Sequence, residues 1–457
     1  MTQLFLASTM FGAVTVSAAI DAGLFDGRPE DDGERILVVT SNAAAPEAAD
    51  PLDVAPGFSA LRPLFDRVVD WNDAIAPFHP SSWHARPEDR VLWWRFLRDR
   101  WGIDGPVTEL VVESMAVPPA RSLCEIFDGA GITCYADGLM SYGPTRNRLP
   151  LQIGRRISRL LHPDLLPGVE PLLLTEFAVP AIVISDSAMR RTFDLVEKEL
   201  PSGLGGLDVP PAEPRPAMVV GQYLAALGIV TDDEEDELHS AMVRALVDAG
   251  HRAVVFKPHP LAPARTTARL AELAATAGIA FGVIESSLPA EACFHRLRPV
   301  LVVGCFSTAL TTAARYFDIP VARFGTSLVL ARLTPYQNNN RIPVTLVDAT
   351  VPSVDGEAEL LDLSLLDGLL ATVGYCMQPS LYGFLRPQAV EFLTWHRDAR
   401  TARYLRRRRL TKLGLPGRDP LVRRLRARPR RTLRSAHARA RKIKRAWRNL
   451  ATAVVRG

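Results

Sequence analysis

Cysteine is scarce in this 457-residue chain: five residues, at positions 124, 134, 293, 305 and 376, and no Cys-x-x-Cys pair among them. That argues against a zinc module or a disulfide framework and fits a reducing compartment. No G-x-x-x-x-G-K-[ST] occurs, and no G-x-G-x-x-G follows an apolar run in the first half, so a P-loop nucleotidase is not expected. The first 20 residues lack charge, but the first basic residue is Arg28, so the basic region that opens a secretory signal is missing. Ser8, Thr9, Gly12, Thr15 and Ser17 interrupt that segment, whereas a membrane span needs about 20 strongly apolar residues. It reads instead as a strand (Leu4–Ala7), a turn at Ser8-Thr9 and a helix from Ala13 to Ala22. Acid is nearly absent from residues 401–457, where 21 Lys and Arg face Asp419 alone, while the remaining 400 residues carry a net charge of −16. An acidic body and a basic tail are two objects.

What is present is an ordinary globular composition, 47% apolar and 23% charged, at a length suited to two domains or one large one. Short apolar runs alternate with helical patterns. Strands are expected at 36–40, 68–71, 107–113, 132–135 and 181–185, then, beyond a Pro- and Gly-rich linker at 201–216, at 217–220, 253–256, 281–284 and 300–303. Helices are expected over 232–249, 264–277 and 308–317. The acidic run 232–236 behind Thr231 reads as a capped helix start with dipole-compensating acids rather than a metal site. This alternation predicts an α/β fold with two Rossmann-like lobes facing a cleft, 1–205 and 206–400, followed by the tail at 401–457.

Ligands of parallel sheets bind where strands end, because backbone N–H groups there are unpaired. Three such places carry chemistry. Lys257-Pro258-His259-Pro260 holds an ammonium and an imidazole on a turn stiffened by two prolines, suited to a phosphate and to the charge that develops as it leaves. Gly304-Cys305-Phe306-Ser307-Thr308 ends a strand and opens a helix, where hydroxyls and free N–H groups either hold an anion or simply cap. Asp137-Gly138 ends a third strand, either as a turn pair or as a carboxylate able to take a proton from an attacking hydroxyl. His79-Pro80 and His162-Pro163 lack a preceding strand and lysine and are set aside; the His79–His84 loop has no cysteines to support zinc.

These motifs resemble those of the bacterial alpha-2,8-polysialyltransferase family, and more broadly the bacterial sialyltransferases of GT-B fold. The matches are Asp137-Gly138, His259-Pro260 within FKPHP and Ser307-Thr308 within GCFSTAL, with similarity best from Met218 to Pro320, including Gly221-Gln222 and Leu288–Glu291. The resemblance implies an inverting, metal-independent glycosyltransferase with no cofactor. It would move sialic acid or a related nonulosonic acid from CMP-sialic acid to a surface glycan, with 1–205 as acceptor lobe and 206–400 as donor lobe. Asp137 would be the general base, and His259 would contact the donor phosphate and assist its departure. Ser307 and Thr308 would bind that phosphate, and Glu291 the ribose hydroxyls. Lys257, Pro260, Gly221 and Gln222 would complete the donor site. One departure stands out: Ala136 occupies the first acid position of the family's acid-acid-Gly motif, so either another acid such as Asp186 substitutes or the protein is a silent nucleotide- or glycan-binding relative. A UDP- or GDP-sugar donor is the other alternative.

The tail, above all 435–455, reads as a basic amphipathic helix for an anionic membrane surface. No aromatic platform for nucleic acid accompanies it. The expected location is therefore cytoplasmic, peripheral at the inner face of the cell membrane.

Overall fold

The computed structural model describes residues 1–26, 33–43, 45–200, 215–259, 264–284, 288–356 and 360–417. The linker at 201–214, Pro260 and the stretch 435–455 lie outside them. Residues 1–404 form one compact unit and the chain from Leu405 onward a second.

Apolar runs of three to seven residues build two sheets, all of whose strand pairs are parallel. The first contains β1 (Thr2–Ala7), β2 (Glu34–Val39), β3 (Arg67–Asp70), β4 (Val107–Val112), β5 (Gly131–Tyr135), β6 (Ile157–Pro163) and β7 (Ala181–Ile184), in the order β3-β2-β1-β4-β5-β6-β7. The second contains β8 (Ala217–Val220), β9 (Ala253–Lys257), β10 (Ala280–Val283), β11 (Leu301–Gly304) and β12 (Val321–Arg323), in the order β10-β9-β8-β11-β12. Helices cover both faces of such sheets, which is why the central strands are apolar along their length rather than alternating; Leu4, Phe5, Leu6 and Ala7 are all buried.

Each sheet reverses its winding once, between β1 and β4 in the first and between β8 and β11 in the second. Such switch points open a crevice at the carboxyl ends of the strands.

The opening helix runs Met10–Asp21, three residues earlier than the apolar pattern alone suggests, because Thr9 caps it by accepting from the Gly12 N–H at 2.9 Å. Helix Asp186–Lys198 packs on Met10–Asp21 and also on Ala290–Leu297 and Thr308–Phe317 of the second half. Polar links tie the halves further. Arg296 donates to Glu197 at 3.1 Å and to the Leu200 carbonyl at 2.8 Å. Arg315 pairs with Asp164 at 3.1 Å and Asp186 at 2.5 Å. After β12, Arg341–Thr350, Leu366–Met377 and Arg386–Trp395 follow as helices. The Tyr382 hydroxyl reaches back to the first half, accepting from Thr145 N–H at 2.8 Å and donating to Glu176 at 2.6 Å.

The basic segment does not begin at 401. Thr401 and Tyr404 are buried, and Arg403 and the Tyr404 hydroxyl both bind the buried Asp348, at 2.9 and 2.8 Å. Within the second unit, Arg407–Leu413 is a helix that ends at Gly414 in the left-handed region, φ 66°. No helix among the described residues is long and apolar enough to cross a membrane.

Candidate functional site

Because β1, β4 and β5 are parallel neighbours, the residues that follow them share one edge of the first sheet: Ser8-Thr9, Glu113 and Asp137. Glu113 accepts from the Ser8 N–H at 3.0 Å and from the Ser8 hydroxyl. The Tyr135 hydroxyl lies beside Glu113 and donates to the Leu6 carbonyl at 2.8 Å. Asp137 is half-buried, and its Oδ2 lies 3.5 Å from the Thr9 hydroxyl. Burial and then the nearby Asp137 charge push the Glu113 carboxyl up to about 7, against an ordinary 4.5. Burial likewise raises Asp137. The two therefore titrate as a pair.

On the second sheet, β9, β8 and β11 are neighbours, so Lys257–His259, Gly221-Gln222 and Cys305–Thr308 also share an edge. Gly221 N–H donates to the Lys257 carbonyl at 2.9 Å. The Gln222 side chain accepts from the Phe306 N–H at 2.9 Å, fixing one loop to the next. Lys257 is buried; its ammonium donates to the Pro258 carbonyl at 3.0 Å, and burial pulls its pKa down to about 8. His259 lies under the Tyr223 ring, centroids 3.8 Å apart, and burial together with the Lys257 charge lowers it to about 4. At neutral pH it is an uncharged imidazole. Ser307 caps helix Thr308–Phe317, its hydroxyl accepting from the Ala309 N–H at 3.2 Å. Glu291 is buried, accepts from Thr312 at 2.8 Å and has Lys257 nearby.

The two edges meet. A Cβ on Gly138 would lie 3.0 Å from the Thr308 hydroxyl, so glycine is what lets the backbone after Asp137 approach the tip of the second half's helix. Asp137 also acts electrostatically on Glu291, raising its pKa, although burial raises it more. The geometry thus links Asp137, Lys257, His259, Glu291 and Thr308 in one neighbourhood, with Gly221, Gln222 and Ser307 on the loops that shape it.

Two residues went unnoticed in the sequence. Glu113 hides at the end of an apolar run, where it reads as the strand's last residue rather than the first polar group beyond it. Tyr223 is a lone aromatic with no periodic signal. The acid beside Asp137 comes from Glu113 and not from Asp186, whose carboxylate binds Arg315. His162, set aside for want of a strand, lies buried on β6, and His79 binds the Ala43 carbonyl at 2.8 Å. Among the described residues no group of three or more His, Cys, Asp or Glu is placed to hold a metal ion.

Among solved structures the chain is similar to the S. aureus MnaA–UDP complex, with 12% identity over 82% of this chain and 96% of that one, TM-score 0.43. It is also similar to the GT-B domain of a sialyltransferase from Photobacterium damselae, with 12% identity over 76% and 96%, TM-score 0.38. A third is UDP-GlcNAc 2-epimerase from Neisseria meningitidis bound to UDP-GlcNAc, with 11% identity over 84% and 94%, TM-score 0.42. No curated protein matches. The family of alpha-2,8-polysialyltransferases (POLYST) matches over residues 3–326. With two parallel α/β sheets and that match over most of its length, the chain belongs to the alpha-2,8-polysialyltransferase family and is a glycosyltransferase.

Proposed function

We propose that the protein transfers sialic acid, or a related nonulosonic acid, from its CMP-activated form to a glycan acceptor with inversion and without a metal. The observation that carries this reading is the contact between Gly138 and Thr308, which sets a carboxylate of one half beside the anion-suited loops of the other. Asp137 takes the proton of the acceptor hydroxyl as that oxygen attacks the anomeric carbon. The sugar–phosphate bond breaks on the opposite face, through an oxocarbenium-like transition state. The departing phosphate meets the Lys257 ammonium, the His259 N–H and the helix start at Ser307-Thr308, donors suited to charge that grows in the transition state. Glu291 and the Gly221-Gln222 loop complete the nucleotide pocket.

A thermal-shift comparison of nucleotides tests the donor, since a ligand bound only by the folded chain raises the melting temperature. CMP is expected to stabilise more than UDP or GDP, and His259→Ala to reduce the shift. Equal or greater stabilisation by UDP would reassign the donor. Nucleotide binding with no transfer, unchanged in Asp137→Ala, would make the protein a binding relative rather than an enzyme.

The basic tail supports a second part of the reading: residues beyond 404 hold the enzyme on anionic lipid at the inner membrane face. Each basic residue near such a surface contributes about 1 kcal/mol. Because Tyr404 is part of the core, the deletion that tests this removes 418–457. The shortened protein should no longer sediment with phosphatidylserine vesicles, and undiminished sedimentation would refute the tail's role.

A further inference from the structure

The acid missing at Ala136 has a replacement that no linear motif contains. We infer that Glu113, delivered from the neighbouring strand β4, is the second carboxylate of the acceptor-activating pair and acts through Asp137 as its positioning and charge-setting partner. The inference rests on the transferase reading above. Three features of the fold carry it.

First, β4 and β5 are adjacent and parallel, with Val112 opposite Cys134, so the residues one and three places beyond that pair, Glu113 and Asp137, emerge at one sheet edge beside the β1/β4 switch point. Second, Glu113 is built in. Ser8, at the end of β1, gives it both its N–H and its hydroxyl, and the Tyr135 hydroxyl stands beside it. Third, the covering helix leaves space for it: a Cβ on Gly12 would already lie 3.0 Å from the Tyr135 hydroxyl and 3.5 Å from Glu113 Oε2. Thr9, one residue along, approaches Asp137. A single β1–helix junction therefore holds both carboxylates, Glu113 through Ser8 and Asp137 through Thr9.

The chemistry needs no further reactant. As the acceptor O–H bond breaks, its proton passes to an Asp137 oxygen while the acceptor oxygen bonds to the sugar carbon and the phosphate leaves with the sugar–phosphate electron pair. A like charge on Glu113 makes the Asp137 carboxylate a better proton acceptor. Titration of Glu113 near neutrality then sets the pH at which the base reaches full strength.

The test compares Glu113→Gln, Ser8→Ala and Asp137→Asn by kcat, donor KM and pH–rate profile. Glu113→Gln should lower kcat about tenfold, leave CMP affinity unchanged and displace the acidic limb of the profile to lower pH. Ser8→Ala, which removes a hydrogen bond that lowers Glu113, should instead move that limb to higher pH, and Asp137→Asn should cut kcat about 10²–10⁴-fold. A Glu113→Gln enzyme with wild-type kcat and profile overturns the inference. So does one that loses CMP affinity in proportion to rate, or one as inactive as Asp137→Asn, which would make Glu113 itself the base. An infrared titration of ligand-free protein separates this inference from the transferase reading. A carboxylic acid band that disappears as pH rises through neutrality should be present in wild type, absent in Glu113→Gln and displaced to lower pH in Asp137→Asn. Its absence from wild type refutes the pair whatever the donor, and its presence without transfer from any donor leaves the pair standing and removes the transferase reading.

Discussion

The two edges of the site are opposite in charge and alike in what burial does to them. On the first sheet, Glu113 and Asp137 are acids pushed upward; on the second, Lys257 and His259 are bases pulled downward. Desolvation disfavours the charged form in every case, so both edges are held closer to neutrality than their residue types suggest. Partial neutrality is useful on both sides. A base whose pKa lies near the working pH accepts a proton and gives it up again, and cations stripped of water interact more strongly with an incoming phosphate.

The sharpest way to break the comparison is to remove the acid edge alone. Asp137→Asn should cost about 10²–10⁴ in kcat while leaving nucleotide affinity intact by calorimetry. Removing the basic edge should do the reverse in kind: His259→Ala should weaken CMP binding by about ten- to a hundredfold, the loss of one hydrogen bond to a charged group. Forcing the edges apart comes next. Gly138→Ala places a methyl 3.0 Å from the Thr308 hydroxyl and should reduce kcat/KM by about tenfold with little change in melting temperature, measured in parallel. Lysine then gives a graded effect: as pH rises through about 8, Lys257 loses its charge, and CMP affinity should fall over that range in wild type but not in Lys257→Met.

The smallest effect is on stability, and its sign discriminates. The Glu113 carboxyl binds its proton more tightly folded than unfolded, so its contribution is fully present below the ordinary 4.5 and is lost as pH rises through about 7. Glu113→Gln should therefore melt higher than wild type at pH 8, by an amount that shrinks toward pH 4.

Much of this was legible in the sequence because apolar runs and caps are local signals. The Thr231 cap and the helix behind it were readable from TDDEE, and the structure shows the full capping box with Glu234. The runs 36–40, 107–113 and 253–256 all became strands. β6 was not readable: its run ISRLLHP is broken by the exposed Ser158 and the half-buried Arg159, which donates to Thr133 at 3.0 Å and pairs with Glu109 at 3.5 Å across the sheet. A pairing between strands has no trace along one strand. The same holds for Glu113, which matters because of what β1 and β5 bring to it, and for Tyr404, buried at the root of a segment whose composition reads as tail. Residues acting along the chain could be found from it, and residues acting between elements required the fold.

The clearance at Gly138 has a consequence for traffic. With barely an atom's width between the main chain of one half and the Thr308 hydroxyl of the other, this point acts as a closed seam: a sugar cannot pass through it, and must enter and leave by the flanks or while the seam is parted. A spacer engineered there would wedge the gate open, favouring exchange over containment.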